Sequence, residues 1–139
     1  MICRIDIRAK NQESRIKNQK LVMHHFEKLN FWKKSIELAK KIYLVSTEIS
    51  SDEKFGLISQ MKRASVSIPS NIAEGSGRNS NKEFSHFLAI SLGSAFELQT
   101  QLILIKELEI LKEEKALELI NDTIEIQKMI YSFKNTLNK

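Results

Sequence analysis

Apolar residues recur along most of this 139-residue chain at the spacing of one helix face. From Asn30, the residues Phe31, Ser35, Leu38, Ile42, Val45 and Ile49 advance in alternating steps of four and three. Trp32, Ile36, Ala39 and Tyr43 form a second row beside them, which predicts a wide buried face with Lys33, Lys34, Glu37, Lys40 and Lys41 outside it. Ser50-x-x-Glu53 has the form of a capping box and predicts the start of a second helix, with Leu57, Met61, Ala64, Ile68 and Ile72 on one face. Pro69 within that helix removes an N–H and crowds the carbonyl of Ser65, so a kink is expected. Neighbouring hydroxyls or the Asn71 amide are placed to hydrogen-bond what the kink frees. Gly75-Ser76-Gly77 then predicts the helix end, through a glycine in the left-handed conformation.

Ser80-x-x-Glu83 is a second capping box and opens the longest stripe, Phe84, Leu88, Ser91, Ala95, Leu98, Leu102 and Ile105, ending near Leu108. Ala89, Leu92, Phe96 and Ile103 lie in an adjacent row. Mid-helix Gly93 costs about 1 kcal/mol of helix propensity and, with Ser94, predicts close approach by another helix, within or between subunits. Ala116, Leu119, Thr123, Ile126, Ile130, Phe133 and Leu137 give a fourth stripe. Segments of about 19, 23, 28 and 25 residues joined by short connectors describe an all-α, antiparallel up-down-up-down four-helix bundle over residues 23–139.

Composition narrows the class. Four glycines and one proline are too few for a turn-rich sandwich or barrel. Leu, Ile, Val and Phe make up about 31% of the chain, enough for a packed core. A single cysteine, Cys3, excludes an internal disulfide and a multi-cysteine zinc site. No uninterrupted apolar run approaches the roughly 18 residues that span a bilayer, and Arg4, Asp6 and Arg8 break any signal-peptide pattern. A cytoplasmic protein with no membrane partner is expected. Most of the formal +5 charge sits in residues 1–22, a basic leader read as flexible and docking at most through Ile2, Ile5 and Ile7.

Constellations for chemistry are weak. Glu83-x-x-His86 has the spacing of a di-iron carboxylate motif, but the other histidines, His24 and His25, precede the first helix, so no metal is expected. Glu74 and Glu97 lack a pocket-forming loop that would make them an acid–base pair; an ion pair of Glu74 with Arg63, three turns earlier, is the simpler reading. Gly75-Ser76-Gly77-Arg78 resembles an anion-binding turn without the spacing or Lys-Ser/Thr of a P-loop. Cys3 has no fixed neighbours to make it a nucleophile. No enzymatic activity, cofactor or small-molecule substrate is expected.

The stretch Arg63-Ala64-Ser65-Val66-Ser67-Ile68-Pro69-Ser70-Asn71-Ile72-Ala73-Glu74-Gly75-Ser76-Gly77-Arg78 resembles the signature of the intervening-sequence proteins encoded within 23S ribosomal RNA genes. Gly93-Ser94-Ala95-x-Glu97-Leu98 is similar to the family's second motif, and Phe26-Glu27-x-Leu29-x-x-Trp32 to its opening. The resemblance implies a four-helix bundle that forms a homo-oligomer, commonly a five-membered ring. It also implies kinship with accessory proteins of diversity-generating retroelements, which associate with nucleic acid and a reverse transcriptase, and it implies no enzymatic activity. Ser67, Pro69, Asn71, Glu74, Gly75, Gly93, Ser94 and Glu97 are the motif positions. Two functions follow as expectations. One is RNA association through phosphate contacts from Lys33, Lys34, Lys40, Lys41, Lys62, Arg63, Arg78 and Lys82. The other is a protein-interaction scaffold without direct nucleic-acid binding, favoured by the near-neutral body of the chain.

Overall fold

The computed structural model describes residues 25–50, 52 and 56–138. A 3-10 turn, Phe26–Lys28, precedes four helices: α1 (Asn30–Ser46), α2 (Leu57–Ser76), α3 (Asn81–Glu107) and α4 (Glu113–Leu137). No strand occurs among the described residues. Each helix packs on its sequence neighbours, and α1 meets α4 to close the bundle. Residues 77–80 and 108–112 are connectors too short to cross a helix, which forces antiparallel neighbours. The basic leader, Cys3 and the apolar residues Ile2, Ile5 and Ile7 lie outside the described residues.

The predicted stripes form the core. Ile42, Met61, Ile68, Ile72, Leu88 and Leu102 are fully buried, each worth about 1.5–3 kcal/mol of apolar transfer. At one end Phe133 of α4 stacks at 5.1 Å from Phe31 and 5.6 Å from Phe84, joining α1, α3 and α4 through aromatic edges. The second rows differ from expectation: Ile36, Tyr43, Phe96 and Ile103 are 40–52% exposed. A helix in a four-helix ring has only two neighbours, so an apolar arc wider than those two contacts faces outward.

Helix ends show where local signals act. Ser80 accepts a hydrogen bond from the Glu83 N–H at 3.1 Å, as the capping box predicts, while the Glu83 carboxylate takes the Ser80 hydroxyl at 3.3 Å in place of the Ser80 backbone N–H. The Ser50 box does not open α2. Ser50 instead accepts from the Asp52 N–H at 3.4 Å, Gly56 occupies the N-cap of α2, and Glu53 lies outside the described residues. The end of α2 also departs from expectation, for no glycine has a positive φ. Gly77 caps the helix at φ −85° with i→i−3 bonds tightening the last turn, Gly77 N–H to Glu74 at 3.2 Å and Arg78 N–H to Gly75 at 3.1 Å. The left-handed residue is Glu109, φ 57°, in the turn after α3. Its N–H bonds the Lys106 carbonyl at 3.0 Å and the Ile110 N–H bonds that of Ile105 at 3.1 Å, a Schellman motif with glutamate in the glycine position.

α3 combines length with apolar composition sufficient to cross a membrane. Its apolarity is spread among Ser, Thr, Gly and Gln rather than run together, which is why no uninterrupted stretch reveals it. One side of α3 fills the core and the other faces outward.

Candidate nucleic-acid interface

The helix period divides the lysines of α1 between two directions. Lys34 and Lys41, seven residues apart and on one line of the helix, turn toward α4. Lys34 pairs with Glu125, and Lys41 pairs with Asp122 at 2.8 Å and Glu118 at 3.1 Å. Hydrogen bonds to Asp122 and then Glu118 hold the Lys41 ammonium above the usual lysine range. Lys115 reaches Glu48 at 2.8 Å, so lysine–carboxylate contacts line the α1–α4 seam. These groups are a third or more exposed, which limits each pair to at most about 1 kcal/mol. Lys34 and Lys41 are thereby engaged within the chain.

Lys33 and Lys40 take the outward line of α1, and both are exposed. Across the α1–α2 seam, the Lys62 ammonium sits 5.1 Å from the centre of the Tyr43 ring, a cation–π contact, with exposed Arg63 beside it. Tyr43 therefore belongs to this surface and not to the core: it is 47% exposed. Lys33, Lys40, Lys62 and Arg63 have no acidic partner among the described residues. With histidines neutral, α1 and α2 together carry +4 and α3 and α4 together −3, so the bundle has a basic half and an acidic half. Phosphate contacts made by basic side chains depend on charge and carry little sequence information.

Arg78 and Lys82 lie elsewhere, at the α2–α3 connection. With Glu83, His86 and Phe87 they line an open notch of about 540 Å³. Arg78 donates to the Glu74 carboxylate at 2.9 Å and lays its guanidinium 4.7 Å from the centre of the Phe87 ring. Glu74 thus pairs with Arg78, four residues on and one turn away, rather than with Arg63 three turns back. His86 meets the edge of Phe87 at 5.6 Å. Phe87 reaches this position because of Gly75: a Cβ there would lie 2.6 Å from the Phe87 Cβ. Neither Phe87 nor His86 is marked for this surface by helix periodicity; the available signal is Phe87 one turn after the second capping box.

The remaining motif residues bind α2 to α3. The Ser67 and Ser94 hydroxyls share a hydrogen bond of 2.8 Å, and the Asn71 amide donates to the Ser67 carbonyl at 2.8 Å and hydroxyl at 3.0 Å. Ser70 donates to the Val66 carbonyl at 2.8 Å, and buried Ser91 donates across the seam to the Ile68 carbonyl at 2.9 Å. Three successive carbonyls before buried Pro69, those of Val66, Ser67 and Ile68, therefore receive side-chain donors, but none of these donors goes to the Ser65 carbonyl, the one that the proline leaves without its N–H partner. Glu97 accepts from Gln101 at 3.3 Å, so Glu74 and Glu97 have separate partners and do not form a pair.

Among the described residues nothing lies within 4 Å of where a Cβ on Gly93 would stand, so none of the other three helices approaches it closely. Close approach within the chain occurs at Gly75 instead. Around Gly93 the outward side of α3 exposes Ile90, Phe96, Ile103 and Leu104 by 40–52%, with Leu108 at 57% beyond them. Isolated apolar residues on a surface are ordinary; here four lie along the outward side of α3 and a fifth at its C-cap. Among the described residues no group of three or more His, Cys, Asp or Glu side chains is placed to hold a metal.

Comparison with known proteins agrees with this architecture. No functionally curated protein is significantly similar to the chain. A solved structure from Bacteroides thetaiotaomicron, a protein of unknown function from the S23 ribosomal protein family, shares 30% identity with a TM-score of 0.70. The match covers 75% of this chain and 97% of that one. The family model of the 23S rRNA-intervening sequence proteins matches residues 27–132, from the 3-10 turn to the last turns of α4. A bundle of this topology carrying that motif across its α2–α3 seam belongs to the 23S rRNA-intervening sequence protein family.

Proposed function

We propose that the chain is a non-enzymatic, self-associating bundle that associates with RNA through the phosphate backbone. The observation that carries this reading is the division of charge, +4 on α1 and α2 against −3 on α3 and α4. The contacting groups are Lys33, Lys40, Lys62 and Arg63, whose side chains face away from the carboxylates of α4. Self-association engages the outward side of α3, and a five-membered ring repeats the basic face around its circumference. Weak single sites then act together, since linked copies raise the effective concentration of each contact. The family's association with 23S ribosomal RNA genes makes structured RNA the first ligand to test.

Filter binding of a structured RNA across a salt series tests the proposal. Affinity is expected at about 50 mM salt and falls steeply above it, because displaced counterions drive binding. Replacing Lys33, Lys40, Lys62 and Arg63 by alanine lowers the logarithmic salt slope by about 3, at roughly 0.7 per lost phosphate contact on single strands. No affinity for RNA at about 50 mM salt removes the reading.

The apolar arc of α3 favours a second reading, a scaffold that leaves nucleic acid to a protein partner. A pull-down that recovers only copies of the chain and RNA counts against it.

A further inference from the structure

The notch at the α2–α3 connection differs in kind from the basic face. Its two cations, Arg78 and Lys82, are offset by Glu74 and Glu83, so it has little net charge with which to attract a phosphate chain. What it offers is an arginine held between a carboxylate and an aromatic ring. The Arg78 guanidinium is fixed on two sides, by the Glu74 carboxylate at 2.9 Å and by the Phe87 ring 4.7 Å away. An exposed arginine side chain ordinarily has rotamer freedom to lose on binding, and here part of that loss is already taken. The volume of about 540 Å³ falls within the roughly 300–1,000 Å³ usual for small-molecule sites. His86 stands against the edge of Phe87, and Lys82 borders the opening.

We infer that this notch holds one unpaired nucleotide of a single-stranded nucleic acid. The base stacks on the Arg78 plane, and Lys82 takes the adjoining phosphate. Arginine planes and aromatic rings recognise splayed bases in this way, and a base inside a duplex cannot reach them. The inference rests on the RNA association proposed above and adds to it a preference for unpaired over paired strands. It also gives the motif residues Glu74 and Gly75 a positioning role: Glu74 orients Arg78, and Gly75 makes room for the ring beneath it.

The test compares a 12-nucleotide RNA containing 2-aminopurine with a blunt 12-base-pair RNA duplex, both at about 50 mM salt, on wild-type protein and the R78K variant. Lysine keeps the charge and can still pair with Glu74 but has no plane on which a base stacks. Single-strand affinity is expected to fall about 10-fold in R78K, with loss of 2-aminopurine quenching and unchanged duplex affinity. A Phe87→Leu variant, checked for its melting temperature, is expected to weaken the single strand in the same direction. Equal loss on both ligands, no loss on either, or quenching that persists in R78K overturns the notch while leaving the basic face intact. Wild-type protein that binds neither ligand overturns the RNA reading itself, and the notch with it.

Discussion

Two glycines, one in the α2–α3 seam and one on the outward side of α3, respond in opposite directions to the same added methyl group. At Gly75 the new Cβ would lie 2.6 Å from the Phe87 Cβ and 2.9 Å from Phe84 Cδ2. The Phe84 ring can tilt, but the Phe87 Cβ is attached directly to the backbone of α3, so the helices must part. Overpacking of this kind costs about 1–3 kcal/mol, and alanine recovers about 1 kcal/mol of helix propensity over glycine. Gly75→Ala is therefore expected to lose about 1 kcal/mol, the middle of the roughly 0–2 kcal/mol that remains. At Gly93 a Cβ meets nothing within 4 Å, and Gly93→Ala is expected to gain about 0.5–1 kcal/mol. Urea unfolding followed by circular dichroism, in dilute protein so that self-association adds nothing, measures both. A difference of about 2 kcal/mol corresponds to midpoints separated by about 1 M urea for a slope near 2 kcal/mol/M. Gly75→Ala as stable as wild type, or Gly93→Ala destabilised to the same extent, refutes the packing argument.

Other substitutions probe the caps, the motif and the charged seam. Glu109→Gly relieves a left-handed non-glycine residue and is expected to stabilise the fold by about 1 kcal/mol, read as a melting temperature a few degrees higher. Ser67→Ala and Ser94→Ala remove the same 2.8 Å hydrogen bond, so a double-mutant cycle is expected to show coupling of about 1 kcal/mol; additive losses would contradict it. Lys41→Met is expected to cost less than about 1 kcal/mol at low salt and almost nothing near 1 M salt. Because Lys41 has a raised pKa when folded, its contribution is complete below 10.5 and fades as pH rises through the folded value. Wild-type protein and Lys41→Met should accordingly converge in stability only in strong alkali.

The core stripes were legible because burial on one side of a helix imposes its own period. Phe31, Leu38, Ile42, Leu88, Leu98 and Ile130 all stand where that period puts them. The second rows misled for a physical reason: an apolar residue such as Tyr43 or Phe96 has the same spacing whether its neighbour is in this chain or absent from it. Glycines misled similarly. Gly75 and Gly93 look alike in sequence, yet one is crowded by Phe87 and the other faces open space. The Ser80 box held in its Ser80 half, where the hydroxyl accepts the Glu83 N–H, whereas Ser50 with the same spacing turned to the Asp52 N–H. At the candidate interface all eight cations were named. Which of them α4 engages depends on register between helices distant in sequence, and single-helix periodicity does not contain it.

The proposed self-association requires the outward side of α3 to be covered by another copy of the chain. Multi-angle light scattering of purified protein over a range of concentrations tests this directly. The expected mass is a multiple of the 16.1 kDa chain, with Phe96→Glu shifting it toward a single copy while the helical signal is retained. Wild-type protein at 16.1 kDa at every concentration, with Phe96 still in water, would contradict it.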